Sequence, residues 1–147
     1  MDKPKVLFLC TGNSARSQMA EAFLREYASD RFEVFSAGLE PKDIHPLAIQ
    51  VMKEKGISME GQYSKPLSIF MGKANFDWLI TVCDNADKKC PFFPGMGSRL
   101  HWPFEDPAKF VGPEQEKLEK FRSIRDAIEI KIKEWLDEFD LLHSVFD

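Results

Sequence analysis

Apolar positions along this chain follow two alternating rhythms. Val6 to Leu9 is a short unbroken apolar run that stops at a Gly/Asn/Ser cluster, the pattern of a strand buried on both faces. From Ser17 the spacing changes. Met19, Ala20, Phe23, Leu24 and Tyr27 recur at three- and four-residue steps, one face of an amphipathic helix. Phe32 to Ser36 reads as a second strand, with a turn over Ser36-Ala37-Gly38. His45-Pro46 opens a second helix, proline in its first turn and His45 beside its cap. Leu47, Ala48, Val51 and Met52 form its apolar face and Gly56 its stop. Ser64-Lys65-Pro66 predicts a turn, and Leu67 to Phe70 a short helix interrupted by Gly72. Phe76 to Cys83 is a third apolar run, and Leu100 to Trp102 a short fourth strand. Leu118, Phe121, Ile124, Ile128, Ile132, Trp135, Leu136 and Phe139 then keep a helical rhythm long enough to cover one face of a sheet.

Strands that alternate with helices predict βαβ units, an α/β fold and a parallel sheet with right-handed crossovers. The carboxyl ends of such strands share one edge, where open sheets form their ligand crevice. Cys10, Ser36 and Cys83 all fall on that edge.

The loop between the first strand and the first helix carries the strongest chemical signal. It reads Cys10-Thr11-Gly12-Asn13-Ser14-Ala15-Arg16-Ser17. A strand–loop–helix turn aims successive backbone N–H groups inward, and the helix start adds positive potential, a cradle for an oxyanion. Gly12 and Asn13 tolerate the backbone conformations such a loop needs. Arg16 suits a planar, two-point contact with a tetrahedral anion. Cys10 stands beneath the cradle, in a field that favours thiolate over thiol, with Ser17 placed to donate to its sulfur. The alternative is an inert buried cysteine in an ordinary strand–helix loop.

Composition narrows the setting. At 147 residues, 44% hydrophobic and 30% charged, the chain suits one soluble globular domain spanning 1–147. Its net charge of −4 gives no basic footprint for nucleic acid. The apolar run after Met1-Asp2-Lys3-Pro4-Lys5 is too short for a signal peptide or a membrane span, so the expected location is cytoplasmic. Three cysteines, an odd count, argue against a secreted disulfide framework. Cys83 and Cys90 are too far apart for a zinc knuckle and no histidine pair accompanies them, so no metal and no cofactor are expected.

Cys83 and Cys90 bracket a polar segment, Asp84 to Lys89, which reads as surface and mobile. A disulfide needs Cα atoms roughly 4.4–6.8 Å apart. If the segment is helical, its ends lie about 10 Å apart at 1.5 Å per residue, so pairing requires the helix to open. A segment wound when reduced and looped when oxidised would be a redox switch; a strand-end cysteine and an incidental one are the alternative. Asp106-Pro107 sits in a loop. The dipeptide alone suits either a general acid aimed into the crevice or a turn and cap aspartate; the neighbouring Glu105 points elsewhere.

Taken together, Cys10 with Arg16, Cys83 with Cys90 before Pro91, and Asp106-Pro107 resemble the thioredoxin-coupled arsenate reductases of the low-molecular-weight protein tyrosine phosphatase superfamily. The resemblance spans essentially the whole chain. It implies a three-layer domain around a four-stranded parallel sheet of order 2-1-3-4. It implies that Thr11, Gly12, Asn13, Ser14, Ala15, Arg16 and Ser17 bind arsenate, with phosphate or sulfate as mimics. Cys10 then attacks arsenic, Asp106 protonates the departing oxygen, Cys83 attacks Cys10 to release arsenite, and Cys90 attacks Cys83. Thioredoxin reduces the final disulfide, and the chain acts as a monomer with weak phosphatase side activity. Phosphatases of this fold carry tyrosines after the Asp-Pro pair, where this chain has Ala108-Lys109-Phe110. Some relatives bind potassium beside Asn13 and Ser36; Lys65 stands where an acidic ligand is expected, so that site is not carried over. A phosphatase with regulatory cysteines and a non-catalytic oxyanion-binding module remain the competing readings.

Overall fold

The computed structural model describes residues 3–90 and 95–144. Four parallel strands form one sheet: β1 (Lys5–Cys10), β2 (Glu33–Gly38), β3 (Phe76–Thr81) and β4 (Met96–His101), in the order β2-β1-β3-β4. The helices are α1 (Arg16–Ala28), α2 (Pro46–Glu54), α3 (Asp84–Lys89) and α4 (Glu114–Ser144), with single 3₁₀ turns at Leu67–Ile69 and Pro107–Lys109. The expected strand order and helix positions are therefore observed. β1 is central, and Val6, Leu7, Phe8 and Leu9 are fully buried, which is why this run shows no alternation.

Register separates the two faces of the sheet. Val6 lies beside Trp78 and Phe8 beside Ile80, while Leu7 pairs with Leu79 and Leu9 with Thr81. The first set faces α4. There Phe32, Trp78, Trp135 and Phe139 stack, and Trp102 bridges Phe8 to Trp135. Each well-placed aromatic pair adds about 0.5–1.5 kcal/mol beyond its buried area. The buried positions of α4 are Phe121, Ile124, Ile128, Ile132 and Leu136, the spacing that one helical face requires. Thr81 shares the other face with Arg99 and His101. α3 packs on that face, since Thr81, Arg99 and His101 all bond to its residues. Helices thus cover both sides of the sheet.

One local expectation is corrected. Ser36-Ala37-Gly38 is not a turn, for β2 continues to Gly38, whose N–H donates to the Lys65 carbonyl at 2.8 Å. A Cβ at Gly38 would lie 2.8 Å from both the Asn13 nitrogen and the Thr11 oxygen. Glycine is needed there because the anion loop presses against the strand end, not because the chain reverses. The segment between the later cysteines is helical, the form in which pairing them requires unwinding, and Asp84, Lys88 and Lys89 are exposed, as its polarity predicts. It is a single short helix whose Ala86 is buried, as are Cys83 and Cys90 at its two ends. Pro91 lies outside the described residues.

Candidate active site

The loop after β1 is held open by its carbonyls. Cys10 O accepts from Leu39 N, Thr11 O from Glu40 N, Gly12 O from Lys42 N and Ser14 O from His45 N, at 2.8–3.2 Å. Asn13 O accepts from Gln18 Nε2 at 3.0 Å and Ser64 Oγ at 2.9 Å. Peptide N–H and C=O point in opposite directions, so carbonyls tied outward leave the amides turned toward the cleft. Ala15 begins α1 without a side-chain cap, and the first turn of α1 holds no acidic residue. The amides and dipole of that helix end are thus open to an anion. Asn13 adopts φ 48°, a left-handed conformation that asparagine tolerates.

Cys10 sits under this cradle, and its sulfur is 2.8 Å from Ser17 Oγ and accepts from the Asn13 amide at 3.2 Å. Asn13 reaches the same hydroxyls: its side-chain amide donates to Ser17 Oγ at 2.8 Å and to Ser36 Oγ at 2.9 Å. Ser17 keeps its own hydrogen available to the sulfur, and Ser36 donates to the buried Glu21 carboxylate. Asn13 Oδ1 accepts from the Lys65 amide at 2.9 Å. One buried asparagine thus ties together β1, α1, β2 and the segment before the first 3₁₀ turn.

Lys65 closes this network. Its ammonium is buried 3.9 Å from Glu21 and donates to the Tyr63 carbonyl at 2.7 Å. Burial pulls its pKa below the ordinary lysine value, and Glu21 opposes that pull. Glu21 gave no functional signal in the sequence, and Lys65 stood out only as occupying the place of an expected acidic ligand. The available hint was a carboxylate four residues beyond Ser17, on the apolar side of α1.

Arg16, Cys83 and Asp106 converge with Cys10 on one cleft, a cavity of about 550 Å³, whose lining does not include Cys90. Arg16 donates to the Phe104 carbonyl at 3.0 Å and stands 3.5 Å from Asp106. Asp106 Oδ1 caps the 3₁₀ turn through Ala108 N at 3.0 Å, as the turn reading expects, while Oδ2 lies 3.5 Å from Arg16 at the lining of the cleft. Ser14 turns its hydroxyl away to the Asp43 carbonyl and offers the cleft only backbone. His45 caps α2 by accepting from Leu47 N, and its ring packs on Phe121.

Cys83 reaches the cleft from β3. Its sulfur lies 3.4 Å from Thr11 Oγ1, which also accepts from Asn85 Nδ2 at 2.9 Å. The Ala86 amide donates to the Cys83 sulfur, so this thiol caps the short helix. Cys90, at the far end, is buried, and burial pushes its thiol above the ordinary value. Cys10 and Cys83 are free thiols.

A sequence model described as low molecular weight phosphotyrosine protein phosphatase matches residues 5–143, and the chain belongs to that family. Within it, the chain is 43% identical to an arsenate reductase of Shouchella clausii over 137 residues, covering 93% of this chain and 98% of that protein. A solved arsenate reductase in a phosphate-binding state superposes with a TM-score of 0.77 at 32% identity, over 92% of this chain and 98% of that one. A thioredoxin-dependent arsenate reductase of Corynebacterium glutamicum gives 0.59 at 31% identity, over 89% of this chain and 62% of the longer neighbour.

Proposed function

We propose that this chain reduces arsenate to arsenite through a relay of three cysteines refilled by thioredoxin. The observation that carries the reading is the meeting of Cys10 and Cys83 at one cleft, bridged by Thr11, with a third thiol one short helix away.

Arsenate enters the cradle of loop amides, where Arg16 pairs with two of its oxygens. The Cys10 thiolate attacks arsenic, and Asp106 gives a proton to the oxygen that leaves as water. Cys83 then attacks the Cys10 sulfur. An S–S bond forms, the S–As bond breaks, and its electron pair stays on arsenic, which departs as arsenite. Cys90 attacks Cys83, Cys10 leaves as thiolate, and a dithiol of the thioredoxin type takes up the Cys83–Cys90 disulfide by two further exchanges. Two electrons enter from the external dithiol and two leave on arsenic. This cycle belongs in a reducing compartment, and a cytoplasmic, monomeric protein of one domain meets its needs. Among the described residues, no helix is long and apolar enough to cross a membrane.

The decisive experiment measures arsenite production with a thioredoxin system for the wild type and each cysteine-to-serine variant. Cys10→Ser and Cys83→Ser are expected to abolish turnover, and Cys90→Ser to stop after one arsenite with Cys10 joined to Cys83. Full turnover by Cys83→Ser would end this reading. A phosphatase reading draws on the family match and needs only Cys10, Arg16 and Asp106. Slow hydrolysis of small aryl phosphates that survives Cys83→Ser is expected beside the reductase activity.

A further inference from the structure

α3 has six residues and, of these, only Ala86 is buried. An isolated helix this short does not persist in water, because nucleation costs more than so few hydrogen bonds return. Its winding must come from outside. Its N-terminal end has three ties: Cys83 caps it, Asn85 reaches Thr11, and His101 Nε2 lies 2.9 Å from Asp84 Oδ1. His101 is itself fixed by Thr81 Oγ1, 2.8 Å from Nδ1. The C-terminal end, where orphan carbonyls gather, is held by Arg99 of the edge strand β4. Its guanidinium donates to the Cys90 carbonyl at 3.1 Å, to the Asp87 carbonyl, and to the Asp87 carboxylate at 3.4 Å. A cation that bonds the last carbonyls also opposes the negative end of the helix dipole.

These bonds carry a cost for the relay proposed above, on which this inference rests. When Cys90 attacks Cys83, the new S–S bond forms as Cys10 leaves, with no net change in oxidation state. The Cα atoms of Cys83 and Cys90 must then come within roughly 7 Å, which the wound helix between them forbids. The ties of Arg99 and His101 are therefore made in the dithiol state and broken in the disulfide state.

We propose that Arg99, assisted by His101, is a positioning residue for the last exchange of the relay. It holds α3 wound while the thiols are reduced, and so sets both the reduction potential of the Cys83–Cys90 pair and the rate at which Cys90 reaches Cys83. Neither side chain touches the oxyanion cleft, so arsenate binding and the attack by Cys10 are untouched.

The test uses the full-length chain. In a Cys10→Ser background the remaining two thiols are equilibrated with reduced and oxidised dithiothreitol, and the disulfide fraction is read by alkylation and mass. Arg99→Gln is expected to favour the disulfide five- to tenfold, a fall in potential of about 20–30 mV for this two-electron couple. His101→Gln moves it less, in the same direction, and Arg99→Lys restores part of the loss. With Cys10 present, release of the Cys10 thiol after a single arsenate turnover quickens in Arg99→Gln. A merely structural arginine would lower the melting temperature of both redox forms and leave the potential where it was. An unchanged potential in both Arg99→Gln and His101→Gln, with the Cys83–Cys90 disulfide forming normally, overturns this role alone. Absence of that disulfide in the wild type after arsenate turnover overturns the relay, and this role with it.

Discussion

The chain holds reactive sulfur in two settings that are built in opposite ways. Around Cys10, the backbone of a whole loop is fixed from behind by carbonyl bonds from the β2–α2 connection, and Asn13 locks the interior from four directions. Around Cys83 and Cys90, a helix of under two turns hangs between two thiols by side-chain ties to β3, β4 and the anion loop. The first arrangement suits a group that must meet a tetrahedral anion in one geometry, where fixed dipoles need no rearrangement during the reaction. The second suits a group that must travel. Rigidity and looseness are thus assigned residue by residue according to which sulfur has to move.

That contrast can be broken or sharpened by mutation. The largest effect is expected at the acid. If Asp106 is the proton donor proposed above, Asp106→Asn should slow the Cys10 step by about 10²–10⁴-fold, read as single-turnover loss of arsenate or as hydrolysis of an aryl phosphate. The exchange between Cys83 and Cys90, measured on its own, should keep its rate. Next comes the brace. Gly38→Ala pushes a Cβ against backbone on two sides of the anion loop. It should cost about 1–3 kcal/mol by denaturant unfolding and weaken phosphate binding. Asn13→Ala should cost a similar amount, since it strands buried partners.

A smaller effect is expected in the loose region. Ala86→Gly lowers helix propensity by about 1 kcal/mol. It should raise hydrogen exchange across 84–89 while leaving phosphate affinity alone. If Gly38→Ala and Ala86→Gly alter anion affinity and α3 opening alike, the two regions are one mechanical unit and the contrast fails. The smallest effect concerns pH. Burial raises the Cys90 thiol above its ordinary value of 9.0. The closed form therefore binds a proton that the open form releases, and α3 loses stability as pH rises past that value. Alkylation of Cys90 should be slow at neutral pH and quicken in alkaline buffer.

How much of this was legible in the sequence follows from how local each feature is. The anion loop is contiguous, so Cys10 to Ser17 announced itself through strand, loop and helix signals within a dozen residues. α4 was equally plain, because one helix can write its whole buried face in a single spacing. The network behind Cys10 was not, since Glu21, Ser36 and Lys65 come from three elements and meet only after the sheet forms. Gly38 misled for a related reason. Glycine at a strand end usually marks a turn, and the close approach of Asn13 is a tertiary fact. Asp84 to Lys89 read as mobile surface because its polar residues are real, while the arginine and histidine that hold it lie on β4. The edge position of that strand, half exposed, also explains why its apolar signal was weak.

The aromatic stack on the α4 side has an optical consequence. All three tryptophans of the chain lie in it, Trp135 within about 6 Å of both Trp78 and Trp102. The helix between the later cysteines contains no aromatic residue and packs on the opposite face of the sheet. Indole emission should therefore report melting of the α4 layer while staying nearly silent to redox-driven unwinding, so a fluorophore placed on Lys88 would give the two events separate colours.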